Sequence, residues 1–125
     1  MQNSDEILKK HKGKKLLDGI AASPGLATGV VRIIDEHEIA QTEPGEVIVA
    51  DKLRPDDLYH KMEDASAFVT DTGGLTSYAA NFARGNGKPA VTTAVNQNGL
   101  TATQVLKNGV GVIVDGTEGA VYQYV

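Results

Sequence analysis

The sequence predicts a single α/β domain in which short strands alternate with two or three helices. The length of 125 residues suits one domain with a substantial buried core. Short runs rich in β-branched residues alternate with helical patterns, which is typical of an α/β or α+β sandwich. The 14 glycines predict many tight turns between these elements.

The first 15 residues are polar and lysine-rich, and we expect them to form a flexible leader before a domain that spans residues 16–125. A short helix capped by Asn3 or Ser4 is expected near the N-terminus. The lysines suit either a solvated surface or the docking of an acidic partner, and the solvated surface is the simpler explanation. Five of the 12 basic residues lie here: Lys9, Lys10, Lys12, Lys14 and Lys15.

Two strands are predicted in the first half of the domain. Pro24-Gly25 marks a turn, and the β-branched run over residues 30–34 follows it as a strand. Residues 35–44 are polar and predict a loop, which leads into a short buried strand over residues 47–50.

A helix is predicted to start at Pro55 and to reach Ala65. Proline suits the first turn of a helix, because an N–H group at that position would have no partner within the helix. Leu58, Met62 and Ala65 recur at helical spacing, so one face of this helix is expected to pack inward.

The second half predicts a strand over residues 67–70, a glycine-containing loop and a helix. Thr76 or Ser77 is expected to cap this helix, and Gly85 and Gly87 mark its end.

Four further elements complete the pattern. A short strand is predicted over residues 90–92, and a helical turn near residues 102–106. A strand over residues 110–114 and a hairpin arm over residues 120–122 flank the turn at residues 115–119.

The composition excludes several classes of function. The chain has no cysteine, which excludes disulfides, thiolate metal sites and a cysteine nucleophile. Its net charge of -4 argues against general nucleic-acid binding. Neither a membrane-spanning apolar run nor a signal-peptide core is present, so we expect a cytoplasmic protein. No cofactor and no metal ion are expected.

Residues 70–84 are the most informative segment. An apolar strand leads into Gly73 and Gly74, and Thr76-Ser77 then opens a helix of small residues. This order points backbone N–H groups and a helix N-terminus at one place, which suits a phosphate group. The simpler explanation is that the glycines only permit a tight turn and that Thr76 or Ser77 only caps the helix.

The segment closely resembles the phosphohistidine signature of phosphoenolpyruvate-utilising enzymes, in which Gly-Gly-x-Thr-Ser is followed by a phosphate-carrying histidine. Tyr78 stands at the histidine position of this chain. The likeness covers nearly everything after residue 16. Three further motifs match in the same order: Gly-Ile-Ala-Ala-Ser-Pro-Gly at 19–25, Gly-Lys-Pro-Ala-Val at 87–91 and Val-Asp-Gly-Thr-Glu-Gly-Ala-Val-Tyr at 114–122.

The resemblance implies the compact swivelling β/β/α sandwich of the mobile domain shared by phosphoenolpyruvate synthase, pyruvate phosphate dikinase and Enzyme I. It implies a phosphoryl carrier that moves between a nucleotide-binding or other donor domain and a barrel domain for pyruvate and phosphoenolpyruvate. These partners are absent from the chain, which is expected to be either an excised domain or a small separate subunit. The implied phosphate-binding residues are Gly73, Gly74, Thr76 and Ser77, with Tyr78 at the carrier position.

A tyrosine at the carrier position changes the expected chemistry. Imidazole is largely unprotonated near neutral pH and attacks phosphorus readily, and its N–P bond is labile. The pKa of a phenol is ~10, so a tyrosine needs a base before it can attack phosphorus. Its phosphate ester is also a poorer donor to pyruvate. We therefore expect no phosphohistidine at position 78.

Residues that could assist Tyr78 are few. His11, His37 and His60 all lie outside the signature. Asp71 precedes the loop and suits either a base or, more simply, hydrogen bonds within the turn. Arg84 is expected to close the C-terminus of the helix, where a cation is favoured.

Three interpretations of Tyr78 stay open: an engineered block of phosphoryl transfer, a natural loss of the histidine, or phosphate carried by the tyrosine itself. For the third, the structural alternative is packing of Tyr78 on Phe82, one helical turn away. The leading hypothesis is a phosphoryl-carrier domain with its histidine replaced. The alternative is a non-catalytic binding or regulatory module, whereas an independent enzyme is disfavoured because no paired carboxylates or metal-ligand cluster is evident.

Overall fold

Seven strands and three short α-helices make up the described part of the chain, which comprises residues 4–34, 42–54 and 62–125 of a computed structural model. The strands are β1 Lys12–Ser23, β2 Leu26–Ile33, β3 Val47–Ala50, β4 Ala67–Thr70, β5 Ala90–Val95, β6 Gly111–Asp115 and β7 Ala120–Tyr124. The helices are α1 Ser4–Lys9, α2 Tyr78–Gly85 and α3 Ala102–Val105, with a 3₁₀ helix at Met62–Asp64.

The seven strands form one sheet that closes into a barrel in the order β1-β5-β4-β3-β2-β6-β7. The pairs β2–β3, β3–β4 and β4–β5 are parallel, and the pairs β1–β5, β1–β7, β2–β6 and β6–β7 are antiparallel. The long β1 strand bridges the two halves, because it pairs with β5 on one side and with β7 on the other. The predicted mixed α/β fold is confirmed, and closure is a property that the sequence pattern had not indicated.

The core has two layers, separated by the sheet. Alternate residues of a strand point to opposite faces, so Val47 and Val49 fill the barrel interior while Ile48 lies in a second apolar cluster outside the barrel. Helix α2 contributes Ala79, Ala80 and Ala83 to that outer cluster. Every residue of β3 and β4 is buried, which explains why their sequences are short runs of mostly apolar residues.

Gly116 has a packing reason to be glycine. A Cβ atom at this position would collide with the carbonyl oxygen of Ser23, and it would lie 3.0 Å from the amide nitrogen of Ala90. The β6–β7 turn therefore packs directly on the end of β1, and a side chain would push the two apart.

Most strand predictions are confirmed, with differences at their ends. Strands over residues 47–50 and 67–70 have the predicted bounds, and the Pro24-Gly25 turn joins β1 to β2. The predicted helical turn near residues 102–106 is α3. Strand β5 continues to Val95, beyond the predicted residue 92.

The N-terminal segment differs from its prediction. Folded structure was expected to begin near Leu16, but β1 begins at Lys12 and pairs with β7. The sequence pattern did not predict the first part of β1, because residues 12–15 are lysines and a glycine. They pair only with β7, which lies more than 100 positions away in the chain. The extent of the domain and the flexibility of the residues before it stay predictions.

The helix predicted from Pro55 to Ala65 lies mainly outside the described residues, since residues 55–61 are not among them. Met62 and Ala65 are buried in the outer cluster, as their predicted inward face requires. Much of the loop predicted over residues 35–44 also lies outside the described residues.

None of the helices in residues 4–34, 42–54 and 62–125 is long and apolar enough to cross a membrane.

Candidate functional site

The predicted phosphate-binding segment is a loop, Asp71 to Ser77, between β4 and α2; we call it the glycine loop. It lies at the carboxyl edge of the parallel strands β3, β4 and β5, and parallel α/β sheets and barrels commonly bind ligands at this edge. Its first residues are fixed to the end of β3, because Asp71 N–H donates to the Ala50 carbonyl at 3.0 Å and Thr72 N–H donates to the Asp51 carbonyl at 2.9 Å.

Ser77, rather than Thr76, caps helix α2. Its backbone is extended, with φ -66° and ψ 163°, and its hydroxyl oxygen accepts from the Ala80 N–H at 3.3 Å. The first N–H groups of a helix have no acceptor within the helix. The cap satisfies one of them, and the helix presents the others at the glycine loop.

The carbonyl groups in the first half of the glycine loop are held by hydroxyl donors. The Gly73 carbonyl accepts from the Thr93 hydroxyl at 2.6 Å. The Gly74 carbonyl accepts from the Ser77 hydroxyl at 2.9 Å and from the Ser77 N–H at 3.2 Å. Each of these two oxygens is therefore turned toward a protein donor.

Nitrogen donors on α2 hold the next two carbonyl groups. The Leu75 carbonyl accepts from Arg84 Nη2 at 2.6 Å, and the Thr76 carbonyl accepts from Asn81 Nδ2 at 3.1 Å. Both donors are exposed side chains on the helix that follows the loop. Four successive carbonyl oxygens, from residue 73 to residue 76, are thus engaged.

This arrangement orients the amide groups of the glycine loop. In a trans peptide the C=O of one residue and the N–H of the next point in opposite directions. The N–H groups of Gly74, Leu75 and Thr76 therefore point away from the donors that hold their partner carbonyls. Within the described part of the chain these three N–H groups have no hydrogen-bond acceptor. A set of oriented, unsatisfied amides is what an anion requires.

The structure places different demands on the two glycines. Gly73 has φ +112°, and a Cβ atom there would lie 3.1 Å from Ser77 Cβ and 3.2 Å from its Oγ. Gly74 is under no such constraint, because a Cβ atom there would meet nothing within 4 Å. Neither packing nor a positive φ therefore requires glycine at position 74. What glycine provides at Gly74 is open space beside the amides.

Tyr78 is the first residue of α2 and is half-buried. Its ring packs on Phe82, with centroids 5.8 Å apart and ring planes 38° apart. Phe82 in turn meets Phe68 of β4 edge to face at 5.6 Å. The contact expected between Tyr78 and Phe82 is confirmed, and it joins the tyrosine ring to the apolar layer beneath α2.

Asp71 has a different role from the predicted one. Its carboxylate accepts from the Thr103 N–H at 2.9 Å and from the Thr103 hydroxyl, so it ties the glycine loop to the first turn of α3. The expectation of hydrogen bonds within the local turn was wrong for this side chain. With both oxygens engaged, the carboxylate is also poorly suited to act as a base.

Among the described residues, no histidine is placed to act as a base for Tyr78. His11 stacks on Tyr124 with centroids 4.7 Å apart, and its Nδ1 lies 2.7 Å from the Val125 carbonyl oxygen. His37 and His60 lie outside the described residues.

Arg84 does not close the C-terminus of α2, as had been expected. Its guanidinium reaches back along the helix and donates to the Leu75 carbonyl, and its Nη1 donates to the Ala22 carbonyl of β1 at 2.7 Å. A third bond, at 2.8 Å, goes to the Asn81 amide oxygen. The sequence contained only a weak signal for this role, namely that Arg84 falls within the resembling segment.

Thr92 and Thr93 of β5 were not recognised from the sequence. Thr93 has φ +52°, which is rare for a β-branched residue, and its hydroxyl holds the glycine loop. Thr92 is fully buried, and its hydroxyl has no hydrogen-bond partner among the described residues. Its Cβ lies 3.8 Å from the place where a Cβ on Gly73 would stand.

A second polar region joins β1 to the β6–β7 turn; we call it the ion-pair cluster, formed by Lys12, Lys15, Asp115, Glu118 and Tyr122. Lys12 Nζ lies 2.8 Å from Asp115 Oδ2, and Lys15 Nζ lies 3.3 Å from Glu118 Oε1. The Tyr122 hydroxyl donates to Glu118 at 2.6 Å, and Lys12 Nζ lies 4.5 Å from the Tyr122 ring centroid. For Lys12, whose side chain is only 17% exposed, the expectation of a merely solvated surface was therefore wrong.

Ionisation in the ion-pair cluster follows these contacts. Burial, together with the hydrogen bond to Glu118, raises the pKa of Tyr122 to about 12. The same hydrogen bond and Lys15 lower the pKa of Glu118, against a smaller opposing effect of burial. Burial disfavours the Asp115 carboxylate, but Lys12 and the backbone N–H groups of the turn outweigh it and lower its pKa. The charged groups of this cluster therefore pair with one another.

Within residues 4–34, 42–54 and 62–125, no group of three or more histidine, aspartate or glutamate residues is placed to hold a metal ion.

A family model described as "PEP-utilising enzyme, mobile domain" matches residues 42–119, which include the glycine loop and α2. The chain belongs to this family. The resemblance inferred from the sequence motifs is thereby confirmed, and the mixed α/β barrel is the fold in which the motifs are placed.

Relatives of known name agree with this assignment. The chain is 43% identical over 114 residues to phosphoenolpyruvate synthase of Aeropyrum pernix, covering 89% of this chain and 13% of that protein. It is 39% identical over 121 residues to phosphoenolpyruvate synthase of Pyrococcus furiosus, covering 96% and 14%. A Bacillus subtilis protein named uncharacterized phosphotransferase YvkC is 45% identical over 105 residues, covering 82% and 12%. The chain therefore spans only about a seventh of the length of such relatives.

Solved structures show the same fold. An NMR solution structure of Enzyme I (nEIt) is 36% identical, with a TM-score of 0.53, over 65% of this chain and 31% of that chain. Aconitase X of Thermococcus kodakaraensis is 17% identical, with a TM-score of 0.61, over 89% of this chain and 98% of that chain, and shares the fold alone.

Proposed function

We propose that this chain is the phosphoryl-carrier domain, or subunit, of a phosphoenolpyruvate-utilising phosphotransferase in which Tyr78 replaces the carrier histidine. The family match carries the proposal, together with the position of Tyr78 at the first turn of α2 beside the amides of the glycine loop. The predicted phosphate-binding residues Gly73, Gly74, Thr76 and Ser77 form the loop of this proposal, in which Gly74 and Thr76 offer N–H groups and Ser77 holds the Gly74 carbonyl. As it stands, the chain does not carry phosphohistidine at position 78.

The proposed reaction has two halves, each on a different partner. A nucleotide-binding or other donor domain passes a phosphoryl group to the carrier, and a barrel domain exchanges that group with pyruvate and phosphoenolpyruvate. Support for separate partners comes from the relatives, which are roughly seven times longer than the matched region. The proposal includes kinase-type phosphoryl transfer and a cytoplasmic location, where nucleotides and phosphoenolpyruvate are found. It includes neither nucleic acid nor membrane as a partner.

The mobile-domain geometry suits a carried phosphoryl group. Residue 78 is the first residue of α2, and the partial positive charge of this helix N-terminus favours an anion. The unsatisfied amides of Gly74, Leu75 and Thr76 add donors without adding a fixed charge. Such a site holds a transferable phosphoryl group without neutralising it, so that the group can leave for the next acceptor.

Replacement of Tyr78 by histidine tests the proposal. The donor is phosphoenolpyruvate synthase of Pyrococcus furiosus with its own mobile domain deleted, supplied with phosphoenolpyruvate carrying ³²P. We expect Tyr78→His to gain an acid-labile, base-stable label, and the unchanged chain to gain none.

The control is the deleted mobile domain of the donor enzyme, added back as a separate chain, which must become labelled under the same conditions. If it is labelled while Tyr78→His is not, the carrier proposal is wrong. An acid-stable label on the unchanged chain that Tyr78→Phe abolishes would instead show that the tyrosine itself carries phosphate. Codon 78 of the source gene then separates an engineered block from a natural replacement.

A second candidate is a non-catalytic binding or regulatory module. Tyr78 packs on Phe82, and the glycine loop has its hydrogen bonds although no histidine follows it. Both observations favour this candidate. In this case the unchanged chain binds the donor enzyme lacking its mobile domain as tightly as Tyr78→His does. Binding measured by calorimetry, in parallel with the labelling experiment, distinguishes the two candidates.

A further inference from the structure

The glycine loop is held from outside by two side chains that no sequence motif had indicated for this purpose. Thr93 donates to the Gly73 carbonyl at 2.6 Å, and Arg84 donates to the Leu75 carbonyl at 2.6 Å. The other two engaged carbonyls are held by Ser77 and Asn81, within the loop and first turns of α2. Thr93 and Arg84 therefore supply the long-range part of the support.

Thr93 occupies an unfavourable backbone conformation to make its contact. Its φ of +52° lies in the left-handed region, which a β-branched residue rarely enters. The cause is a β-bulge: Ile20 pairs with Thr92 and Asp18 with Val95, so that Gly19 alone faces Thr93 and Ala94. Strain of this kind persists where the surrounding structure enforces it, and it is often found at functional sites.

The bulge and Gly19 fit each other closely. A Cβ atom on Gly19 would lie 2.6 Å from the Thr92 carbonyl oxygen and 2.8 Å from Val91 Cγ1. The strained turn of β5 thus depends on glycine in β1. As a result of this turn, the side chain of Thr93 points toward the glycine loop.

Arg84 supports the loop two residues further along, at Leu75. Its planar guanidinium donates through Nη1 to Ala22 of β1 and through Nη2 to Leu75, so that it joins the barrel wall to the loop. Lysine cannot reproduce two such bonds in a fixed plane.

We propose that Arg84 and Thr93 are positioning residues that turn the Leu75 and Gly73 carbonyls inward and thereby direct the Thr76 and Gly74 amides toward the bound anion. The inference rests on the proposed function in that the anion is the phosphoryl group of the carrier. It adds two residues to that function, neither of which contacts the phosphoryl group itself. The bonds to carbonyl oxygens act on the amides through the rigidity of the peptide plane.

The experiment follows the amide signals of Gly74, Leu75 and Thr76 by NMR while the ¹⁵N-labelled chain is titrated with inorganic phosphate. We expect these signals to shift in the unchanged chain. Thr93→Val and Arg84→Lys should each weaken the binding of phosphate by about fivefold, since each loses a hydrogen bond of ordinary strength. Thr93→Ser keeps the hydroxyl and should restore the affinity.

Thr93→Gly separates positioning from stability. Glycine accepts a positive φ without strain, so the free energy of unfolding should fall less than in Thr93→Val, but the hydroxyl is absent and the affinity for phosphate should fall equally. A merely structural role would move the two quantities together.

Matched controls come from similar bonds elsewhere. Thr28 donates its hydroxyl to the Val112 carbonyl at 2.8 Å, and Asn86 donates to the Phe82 carbonyl at 2.9 Å, both away from the glycine loop. Thr28→Val and Asn86→Ala should leave the affinity for phosphate unchanged.

Two results would overturn the inference: unchanged affinity in Thr93→Val and Arg84→Lys, or no response of the loop amides to phosphate in the unchanged chain. Neither result bears on the labelling of Tyr78→His. Conversely, an unlabelled Tyr78→His with a normal phosphate titration would leave Arg84 and Thr93 as positioning residues of an anion site and would remove the carrier function.

Discussion

The glycine loop and the ion-pair cluster are both polar regions at the ends of strands, yet their polar groups are satisfied in opposite ways. In the ion-pair cluster, each charged group faces another group of the protein, as in the contact of 2.8 Å between Lys12 and Asp115. In the glycine loop the carbonyls are engaged, whereas the N–H groups of residues 74–76 have no acceptor in the described part of the chain. The charged groups of the first region are paired within the protein, whereas the second region leaves three N–H donors without an acceptor among the described residues.

The difference follows from the free energy that is lost when a polar or charged group has no partner. An unsatisfied amide is inexpensive where water reaches it, as in the exposed glycine loop, but a buried charge without a partner is expensive. Binding regions can therefore keep unused donors only at the surface. The Lys12 and Asp115 side chains are only 17% and 12% exposed, so they require partners within the protein.

The largest expected effect concerns Asp115. Asp115→Ala leaves Lys12 with Glu118 at 3.9 Å as its remaining carboxylate, and it removes the acceptor of the Glu118 N–H. We expect the free energy of unfolding, measured with urea, to fall by about 2 kcal/mol. Asp115→Asn keeps the acceptor and should cost less.

Asp18 provides the control for this prediction, because its carboxylate is 71% exposed and lies 3.2 Å from Lys15. Asp18→Ala should change stability by no more than about 0.5 kcal/mol. Equal losses in the Asp18 and Asp115 variants would remove the distinction between a closed, structural cluster and an ordinary charged surface.

A smaller effect, of opposite sign, is expected beneath the glycine loop. The buried hydroxyl of Thr92 has no partner among the described residues, so Thr92→Val should raise the free energy of unfolding by about 1 kcal/mol. Thr28→Val, which loses a bond to the Val112 carbonyl, should lower it by a similar amount. If Thr92→Val is also destabilising, the Thr92 hydroxyl has a hydrogen-bond partner in the folded protein.

The smallest effect is a dependence of stability on alkaline pH. The pKa of Tyr122 is about 12 in the folded protein, above the ordinary value of ~10 for an unfolded tyrosine. Between these values the folded state holds more protons, so its stability falls as pH rises through the window from about 10 to about 12. Because the cluster is near the surface, we expect a contribution below about 1 kcal/mol.

Tyr122→Phe should remove this part of the decline when unfolding by urea is measured from pH 9 upward. Tyr124→Phe removes a tyrosine that stacks on His11 outside the ion-pair cluster, and it serves as the control. A decline of the same size in Tyr122→Phe and in the unchanged chain would contradict the hydrogen bond between Tyr122 and Glu118.

The sequence by itself determined the strands of the buried sheet, the position of the glycine loop, the start of α2 and the family. These features depend on neighbours in the chain: β-branched runs favour strands, glycine permits the φ of residue 73, and a serine caps the helix that follows it. The motifs near residues 19–25, 73–78, 87–91 and 114–122 retain this local information.

Only the tertiary structure decided how these parts support one another. Closure of the barrel places Lys12 beside Asp115, although 103 positions separate them in the chain. It also brings Arg84 to Ala22, Asp71 to Thr103 and Thr93 to Gly73. A side chain's local surroundings predict its backbone conformation but contain no record of a distant partner. The bond from Thr93 to the glycine loop and the bond from Arg84 to β1 were therefore evident only in the tertiary structure.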